Sequence, residues 1–210
     1  MKTFCFAWVG FLAVMAFFSP AKADGSPDAT LTRLREKAGQ VHSIFSTFVQ
    51  EKRLGIVKKP LVSKGTFAFE RPKMLRWEYL SPVRSGFTVN GEAGTRWNEL
   101  SGETANFVTQ KDPVMRIVSG QILLWTTLDL DALSKMFDIA VESDAPAILK
   151  LAPKNTDGEN PVRSIRITFA SDDSSIAAIE INEREGDSTT LRFYDTKVNA
   201  ALDPALFTHK

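Results

Sequence analysis

Cysteine and histidine are scarce in this sequence, and their scarcity excludes several kinds of chemistry. The one cysteine among the 210 residues is Cys5, so the chain beyond it offers no thiol for a disulfide or a metal site. The two histidines are His42 and His209, and no HExxH motif or Ser/His/Asp arrangement can be assembled around them. A hydrolase that acts on lipids is therefore disfavoured, because a nucleophile and base are missing, and no cofactor or metal is expected.

The chain also lacks an excess of charge of either sign. Its 26 Lys and Arg residues nearly balance its 25 Asp and Glu residues, for a net charge of +1. No basic block or RNA-binding motif occurs, which argues against nucleic acid as a partner. The paired carboxylates Asp172-Asp173 and Asp129/Asp131 are too few and too widely spaced for calcium. We interpret them as turn and helix-cap residues.

The one long apolar run stands at the N-terminus. Met1-Lys2 gives a positive start, residues 4–18 are apolar, and Ala21-Lys22-Ala23 forms a small-residue cleavage site. This arrangement predicts a secretory signal peptide over residues 1–23, too short for a membrane span. The cysteine lies at the beginning of the run, so it follows no lipobox. We expect the mature chain to begin at Asp24, exported and without a lipid anchor.

The strongest secondary-structure signal is the apolar/polar alternation in residues 65–97. Period-2 alternation rich in aromatic and β-branched residues is typical of half-buried antiparallel strands. Arg71-Pro72, Ser81-Pro82 and the Asn90-Gly91 turn signal separate the strands. The large side chains of this stretch form an apolar wall, with members Phe67, Phe69, Leu75, Trp77, Tyr79, Phe87, Val89 and, after the turn, Trp97.

Three helices are expected beside the strands. Ser26-Pro27 and Asp112-Pro113 carry the Ser/Asp N-cap and first-turn proline signature, and Asp129 is a further N-cap candidate for a helix over 130–136. The second helix is apolar on nearly every side, which is typical of a buried helix or one that shields an apolar surface. The remaining strands are predicted at 45–56, 103–109, 137–142, 148–153, 162–170, 176–183 and 189–194. We predict one α+β, mainly β, domain of about ten strands and three helices over residues 24–210.

The apolar wall has two interpretations, a packed core or the lining of a cavity. Aromatic stripes on strands are more often core, but three modest helices are little cover for so long a sheet. Arg71 is in phase with Phe67 and Phe69, which would direct its guanidinium to an apolar interior where helix C-terminal carbonyls could accept its hydrogen bonds. The alternative is that a twist at the strand end releases Arg71 to solvent.

Several motifs resemble the periplasmic outer-membrane lipoprotein carrier family, LolA. They are F-x-Q at 48–50, G-x-F-x-F-x-R-P at 65–72, R-W-x-Y at 76–79, and the Asn90-Gly91 turn followed by Trp97. The resemblance implies an unclosed antiparallel half-barrel with a helical lid over a hydrophobic cavity. It also implies a monomeric carrier that takes acylated lipoproteins from an inner-membrane ABC transporter and delivers them to an outer-membrane receptor.

The resemblance assigns roles to individual residues. The family arginine that latches the lid closed falls on Arg71, and family cavity positions fall on Phe69, Leu75, Trp77 and Tyr79. The family positions and the apolar wall together predict the residues of the acyl-chain cavity. They are Phe67, Phe69, Leu75, Trp77, Tyr79, Phe87, Val89 and Trp97. The predicted lid residues are Val114, Ile117, Val118, Ile122 and Trp125.

Two departures from the family pattern concern the retention and direction of cargo and the lid. The sequence stops at Lys210, where well-studied carriers continue into a further loop and strand that helps to keep cargo from returning to the membrane. The lid segment is also bulkier and more apolar than in the type member. Divergent relatives occur in clusters that make other lipidic products, so one alternative is a carrier of a glycolipid or polyene lipid. The other is a periplasmic lipid-sensing module that regulates a partner protein, although such a sensor normally carries a second domain.

Overall fold

The computed structural model describes residues 26–155 and 160–209, so the predicted signal peptide lies outside the described residues. Within that part of the chain, eleven strands form one unclosed sheet in which every strand pair is antiparallel. The predicted unclosed, mainly β fold with three helices is confirmed. No helix in this part of the chain is long and apolar enough to cross a membrane.

The strands are β1 (Ser43–Arg53), β2 (Leu61–Glu70), β3 (Met74–Ser81), β4 (Ser85–Asn90), β5 (Ala93–Asn98), β6 (Glu103–Val108), β7 (Phe137–Asp144), β8 (Ala147–Pro153), β9 (Val162–Phe169), β10 (Ile176–Glu183) and β11 (Ser188–Val198). In the sheet the strands follow the order β6-β5-β4-β3-β2-β1-β11-β10-β9-β8-β7, so β6 and β7 are its edges. The helices are α1 (Pro27–Gly39), α2 (Pro113–Thr127) and α3 (Leu130–Met136), and a short 3-10 helix spans Pro204–Phe207. The first strand stops at Arg53 and not near residue 56, because residues 54–60 form the turn of a hairpin with β2.

The helices begin where the capping residues predict. The Ser26, Asp112 and Asp129 side chains accept hydrogen bonds from backbone amides three residues ahead, at 3.2, 3.0 and 3.0 Å. Each bond satisfies an amide that the first helical turn leaves without a partner. The N-caps thus set where α1, α2 and α3 start over the concave face of the sheet.

Strand register sorts the apolar wall into rungs that run across the sheet. Phe67 pairs with Trp77, and Trp77 pairs with Phe87, so these three aromatics form one rung. The next rung along the strands consists of Phe69, Leu75 and Val89. Both rungs face the concave side, because residues two apart on a strand share a face. Which rung lines a cavity therefore depends on where the helices pack.

Candidate functional site

An apolar cavity of about 510 Å³ lies between the concave face of the sheet and α2. This volume falls within the range of pockets that hold small organic ligands. Both halves of the sheet and the helix contribute apolar side chains to its wall. They include Phe67, Trp77, Phe87, Ile179, Leu191 and Phe193 from the strands, and Met115, Val118, Ile122 and Trp125 from the helix.

Trp77 is the centre of an aromatic cluster on the cavity wall. Its ring centroid lies 4.5 Å from Phe48, 5.7 Å from Phe67 and 6.4 Å from Phe193. Tyr79 also lines the cavity, and its hydroxyl donates to Gln50 Oε1 at 2.9 Å. Burial raises the pKa of Tyr79, so the hydroxyl stays neutral. Of the predicted cavity residues, Phe67, Trp77, Tyr79 and Phe87 therefore meet at one wall.

Phe69, Leu75 and Val89 do not line the cavity, which corrects the prediction for this rung. Their side chains are 0%, 0% and 2% exposed and belong to the packed core. The reason lies two residues beyond Phe69, where Arg71 holds the junction between α1 and β1 against this end of the sheet. The helix end covers this rung and leaves the rung of Phe67 open to the cavity.

Trp97 borders the cavity, but its ring faces the other side of the sheet. Phe87 pairs with Arg96, so Arg96 shares the concave face and the next residue points away. The Trp97 ring stacks on His209 with centroids 4.1 Å apart and planes 1° apart, and the Arg76 guanidinium carbon lies 4.9 Å from its centroid. The prediction that Trp97 faces cargo is corrected: it anchors the C-terminal segment.

The second helix covers the cavity with only one of its faces. Of the predicted lid residues, Val118, Ile122 and Trp125 line the cavity, and Met115 joins them. Val114 and Ile117 lie on the same helix, but they are 63% and 60% exposed and face away from the cavity. The helical period separates the two sets, since residues three and four apart share a face. The nearly uniform apolarity of the segment hid this division in the sequence.

An ion pair fixes the start of α2 over β5. Arg96 Nη1 donates to Asp112 Oδ2 at 2.7 Å, while the other carboxylate oxygen caps the helix through the Met115 amide. The bond from the Met115 amide, followed by the charge of Arg96, holds the pKa of Asp112 below its ordinary value. The sequence predicted the cap but not the arginine, since only the β4–β5 register brings Arg96 to the concave face.

Arg71 binds carbonyls at the C-terminal end of α1. Its Nε donates to the Val41 carbonyl at 2.6 Å and its Nη2 donates to the Ala38 carbonyl at 3.0 Å. This is the kind of bond that the sequence suggested, and it excludes release of the guanidinium to solvent. The helix held by these bonds is α1, not α2, and Ala38 and Val41 themselves line the cavity. A latch at Arg71 would therefore act through α1.

A second arginine, not identified from the sequence, holds the other part of α1. Arg33 Nε donates to Asp173 at 2.7 Å and its Nη1 donates to Asp144 at 3.0 Å. Asp144 ends β7 and Asp173 lies in the turn between β9 and β10, so one side chain joins α1 to two turns. Hydrogen bonds from Thr30 and then Arg33 hold the pKa of Asp144 below its ordinary value. The sequence indicates only a turn role for Asp173, and its ion pair with Arg33 depends on packing between distant parts of the chain.

The surface of the cavity is mainly apolar, although polar side chains such as Gln50, Arg96 and Asp173 are among its lining residues. The Trp125 indole nitrogen is buried and has no hydrogen-bond partner among the described residues. In the same part of the chain, no group of three or more His, Cys, Asp or Glu side chains is placed to hold a metal ion. The site is thus a mainly apolar container under a helix, with a tyrosine–glutamine hydrogen bond in its wall.

Sequence comparison identifies relatives along nearly the whole chain. The family model described as "Outer membrane lipoprotein carrier protein LolA" matches residues 39–210. An outer-membrane lipoprotein carrier protein from Pseudoalteromonas translucida is 25% identical over 189 residues, covering 90% of this chain and 84% of the relative. One from Azotobacter vinelandii is 26% identical over 200 residues, covering 95% of this chain and 91% of the relative.

Solved structures share the fold at low identity. An uncharacterized conserved protein from Thermus thermophilus has a TM-score of 0.55 at 10% identity, with 89% of this chain and 94% of that chain covered. A chain of the Pseudomonas aeruginosa MucA/MucB complex has a TM-score of 0.51 at 17% identity, with 89% and 62% covered. At these identities the likeness shows the fold alone.

Proposed function

The chain belongs to the LolA family of outer membrane lipoprotein carrier proteins, and we propose that it carries an acylated lipoprotein or a related lipid across the periplasm. The observation that supports this proposal is the cavity of about 510 Å³ between the half-barrel and α2. Acyl chains need a dry concave surface, and burial of each methylene stabilises the complex by about 0.8 kcal/mol. The cavity offers such a surface beneath α2.

Release of cargo depends on competition for one apolar surface, the aromatic wall, which either the lid helix or the cargo can cover. Val118, Ile122 and Trp125 of α2 line the same cavity as the aromatic wall. Bound acyl chains would take the place of these contacts, so cargo stabilises the open form and lid closure opposes binding. Arg71 contributes to the closed form by holding the end of α1, which is the latch role that we assign to it. No covalent bond needs to be made or broken in this cycle.

The route of transport is the finer part of the proposal. The mature chain begins at Asp24 after removal of residues 1–23 and works in the periplasm as a monomer. An inner-membrane ABC transporter loads the carrier, and an outer-membrane receptor accepts the cargo. The names of the relatives, outer-membrane lipoprotein carrier proteins, support this direction.

Native mass spectrometry of the protein purified from periplasm tests the proposal. We expect mature chains that begin at Asp24, part of them carrying the mass of an acylated peptide. Detection of a bound glycolipid or polyene lipid would support the carrier function with a different class of cargo. A chain that never holds a lipid, but co-purifies with a protein partner whose activity it changes, would instead indicate the sensor module.

A further inference from the structure

The turn between β1 and β2 is a basic, apolar projection. Ile56 at its tip is 94% exposed, and Val57 beside it is 41% exposed. The first two residues of β2, Leu61 and Val62, are 53% and 46% exposed. Four large aliphatic side chains thus stand in water within seven residues, on a single hairpin. Isolated exposed aliphatics are ordinary on protein surfaces, but several of them on one turn, with Ile56 and Val57 adjacent at its tip, indicate an interaction site.

The charge of the projection has one sign. Residues 54–62 include Lys58 and Lys59 and no acidic residue. Both lysines are exposed, and within residues 26–155 and 160–209 neither takes part in an ion pair. Lys64 adds a further exposed cation on β2. This charge distinguishes the hairpin from an ordinary apolar protein-binding patch, because aliphatic and basic side chains together match an anionic lipid surface.

The projection is held in place by the neighbouring turn. The Gly55 amide donates to Asp187 Oδ1 at 2.8 Å, and Asp187 lies in the turn between β10 and β11. Within the hairpin, the Val57 amide donates to the Leu54 carbonyl at 3.0 Å. The apolar tip is therefore presented by a formed turn.

The hairpin stands at an end of the sheet that the cavity reaches. Gln50 near the end of β1, Tyr79 near the end of β3 and Thr189 near the start of β11 line the cavity at this end. The antiparallel order places these strand ends beside the β1–β2 turn. A bilayer touched by Ile56 would thus lie next to one end of the cavity.

We propose that the β1–β2 hairpin docks this protein onto an anionic lipid surface, with Ile56 and Val57 inserted between headgroups and Lys58 and Lys59 beside phosphates. The role of this contact rests on the proposed function, since cargo passes between a bilayer and the cavity. The contact itself is weak and reversible, because one hairpin offers few anchoring groups. Salt weakens it by screening the lysines.

Vesicle sedimentation of the mature chain tests this proposal. We expect binding to vesicles of equal parts phosphatidylglycerol and phosphatidylcholine, and far less to phosphatidylcholine alone. Ile56→Ser should weaken anionic-vesicle binding about tenfold, from the lost burial of one aliphatic side chain. Lys58→Ser and Lys59→Ser should each cost about fivefold, which is the contribution of one basic residue near such a surface.

Leu100→Ser is the matched control. Leu100 is 80% exposed in the β5–β6 turn, but Glu99 and Glu103 stand on either side of it, so its substitution should leave vesicle binding unchanged. An equal loss at Leu100 and Ile56, or no vesicle binding by the unsubstituted chain, overturns the proposal. Dimerisation that Ile56→Ser abolishes would replace the lipid surface with a second copy of the chain. Uptake of a fluorescent acyl peptide without vesicles should be the same in all variants, so its absence would count against the carrier function alone.

Discussion

At the scale of single residues, Arg71 and Arg33 hold the same helix by different chemistry. Arg71 donates to one carbonyl in the last turn of α1 and to another two residues beyond the helix, whereas Arg33 pairs with two carboxylates on separate turns. A guanidinium presents several donors in a planar fork, so either residue can make both bonds at once. Each arginine therefore fixes the orientation of α1 relative to the sheet as well as its distance from the sheet.

Replacement of Arg71 should shift the balance towards the loaded form. Arg71→Leu removes two charge-assisted bonds, each worth about 1.5–3 kcal/mol, and adds apolar surface near Ala38 and Val41 on the cavity wall. We expect tighter binding and slower release of a fluorescent acyl peptide, with Arg71→Lys intermediate because an ammonium lacks the planar fork. Stopped-flow displacement measures both quantities.

Arg35→Leu provides the control for Arg71. Arg35 also lies on α1, but its ion pair with Asp131 is solvent-exposed, and such pairs contribute little. Its replacement should leave the off-rate unchanged. Off-rates of both Arg71 variants equal to that of the unsubstituted protein would show that Arg71 has a structural role only.

Trp77 and Leu75 should respond differently to the same charged substitution. Trp77 lines the cavity, whereas Leu75 is 0% exposed in the packed core. Trp77→Glu should abolish acyl-peptide uptake and cost about 3–5 kcal/mol of folding free energy, as for loss of a large core side chain, while the carboxylate faces the cavity. Leu75→Glu should unfold the protein, because its carboxylate would be buried without a partner.

Circular dichroism and urea unfolding separate these outcomes. A native far-UV spectrum for Trp77→Glu together with unimpaired uptake would show that Trp77 does not contribute to acyl-peptide binding. Unfolding of both variants alike would place Trp77 in the closed core.

At the scale of elements, α2 is held at its start by one carboxylate. Asp112 has a lower pKa in the folded state than an unfolded aspartate. The stability that its ionised carboxylate adds to the folded state is therefore fully present above the ordinary Asp pKa. The contribution is lost as the pH falls through the lowered pKa, when the carboxylate is protonated. We expect the α2 amides to shift in NMR spectra below about pH 4, the ordinary range of an aspartate, and not between neutral pH and that point.

Asp112→Asn isolates the charge from the cap. Asparagine caps a helix about as well as aspartate, so α2 should still form, but the ion pair with Arg96 and the acid transition of α2 should both disappear. An acid transition of α2 that persists in Asp112→Asn would assign it to another group, such as Asp144 beside α1.

Local chemistry made the elements predictable, while tertiary packing decided which residues reach the cavity. The caps at Ser26, Asp112 and Asp129 set the helix starts, because each signal lies within one turn of chain. The burial of the rung containing Phe69 depends on where the end of α1 packs against the sheet. The apolar/polar periodicity of the sequence carries no information about that position. The side of the sheet on which Trp97 lies does follow from the register of the β4–β5 hairpin. Counting residues from Phe87 across the turn predicts that Trp97 lies opposite to the concave side.

At the scale of the whole molecule, α1 is a strap across the concave side of the open sheet. Arg71 ties its C-terminal end to β2, while Arg33 ties it to the turns after β7 and β9. In the sheet order these attachments lie on opposite sides of β1 and β11. An unclosed sheet has no hydrogen bonds between β6 and β7 to fix its curvature, so the strap opposes widening of the cavity.

A double-mutant cycle tests whether the strap acts as one unit. If release of either end frees α1, Arg33→Gln and Arg71→Leu should each strengthen acyl-peptide binding, and the double variant should add little to the larger single effect. Distant, independent sites give additive effects within about 0.5 kcal/mol, whereas coupled residues depart from additivity by about 0.5–3 kcal/mol. Titration calorimetry with one acyl peptide across the four proteins measures the coupling, and Arg35→Gln with Arg71→Leu gives the uncoupled comparison. Strict additivity in both cycles would mean that the two ends of α1 move separately, so that the curvature of the sheet is set by the strands alone.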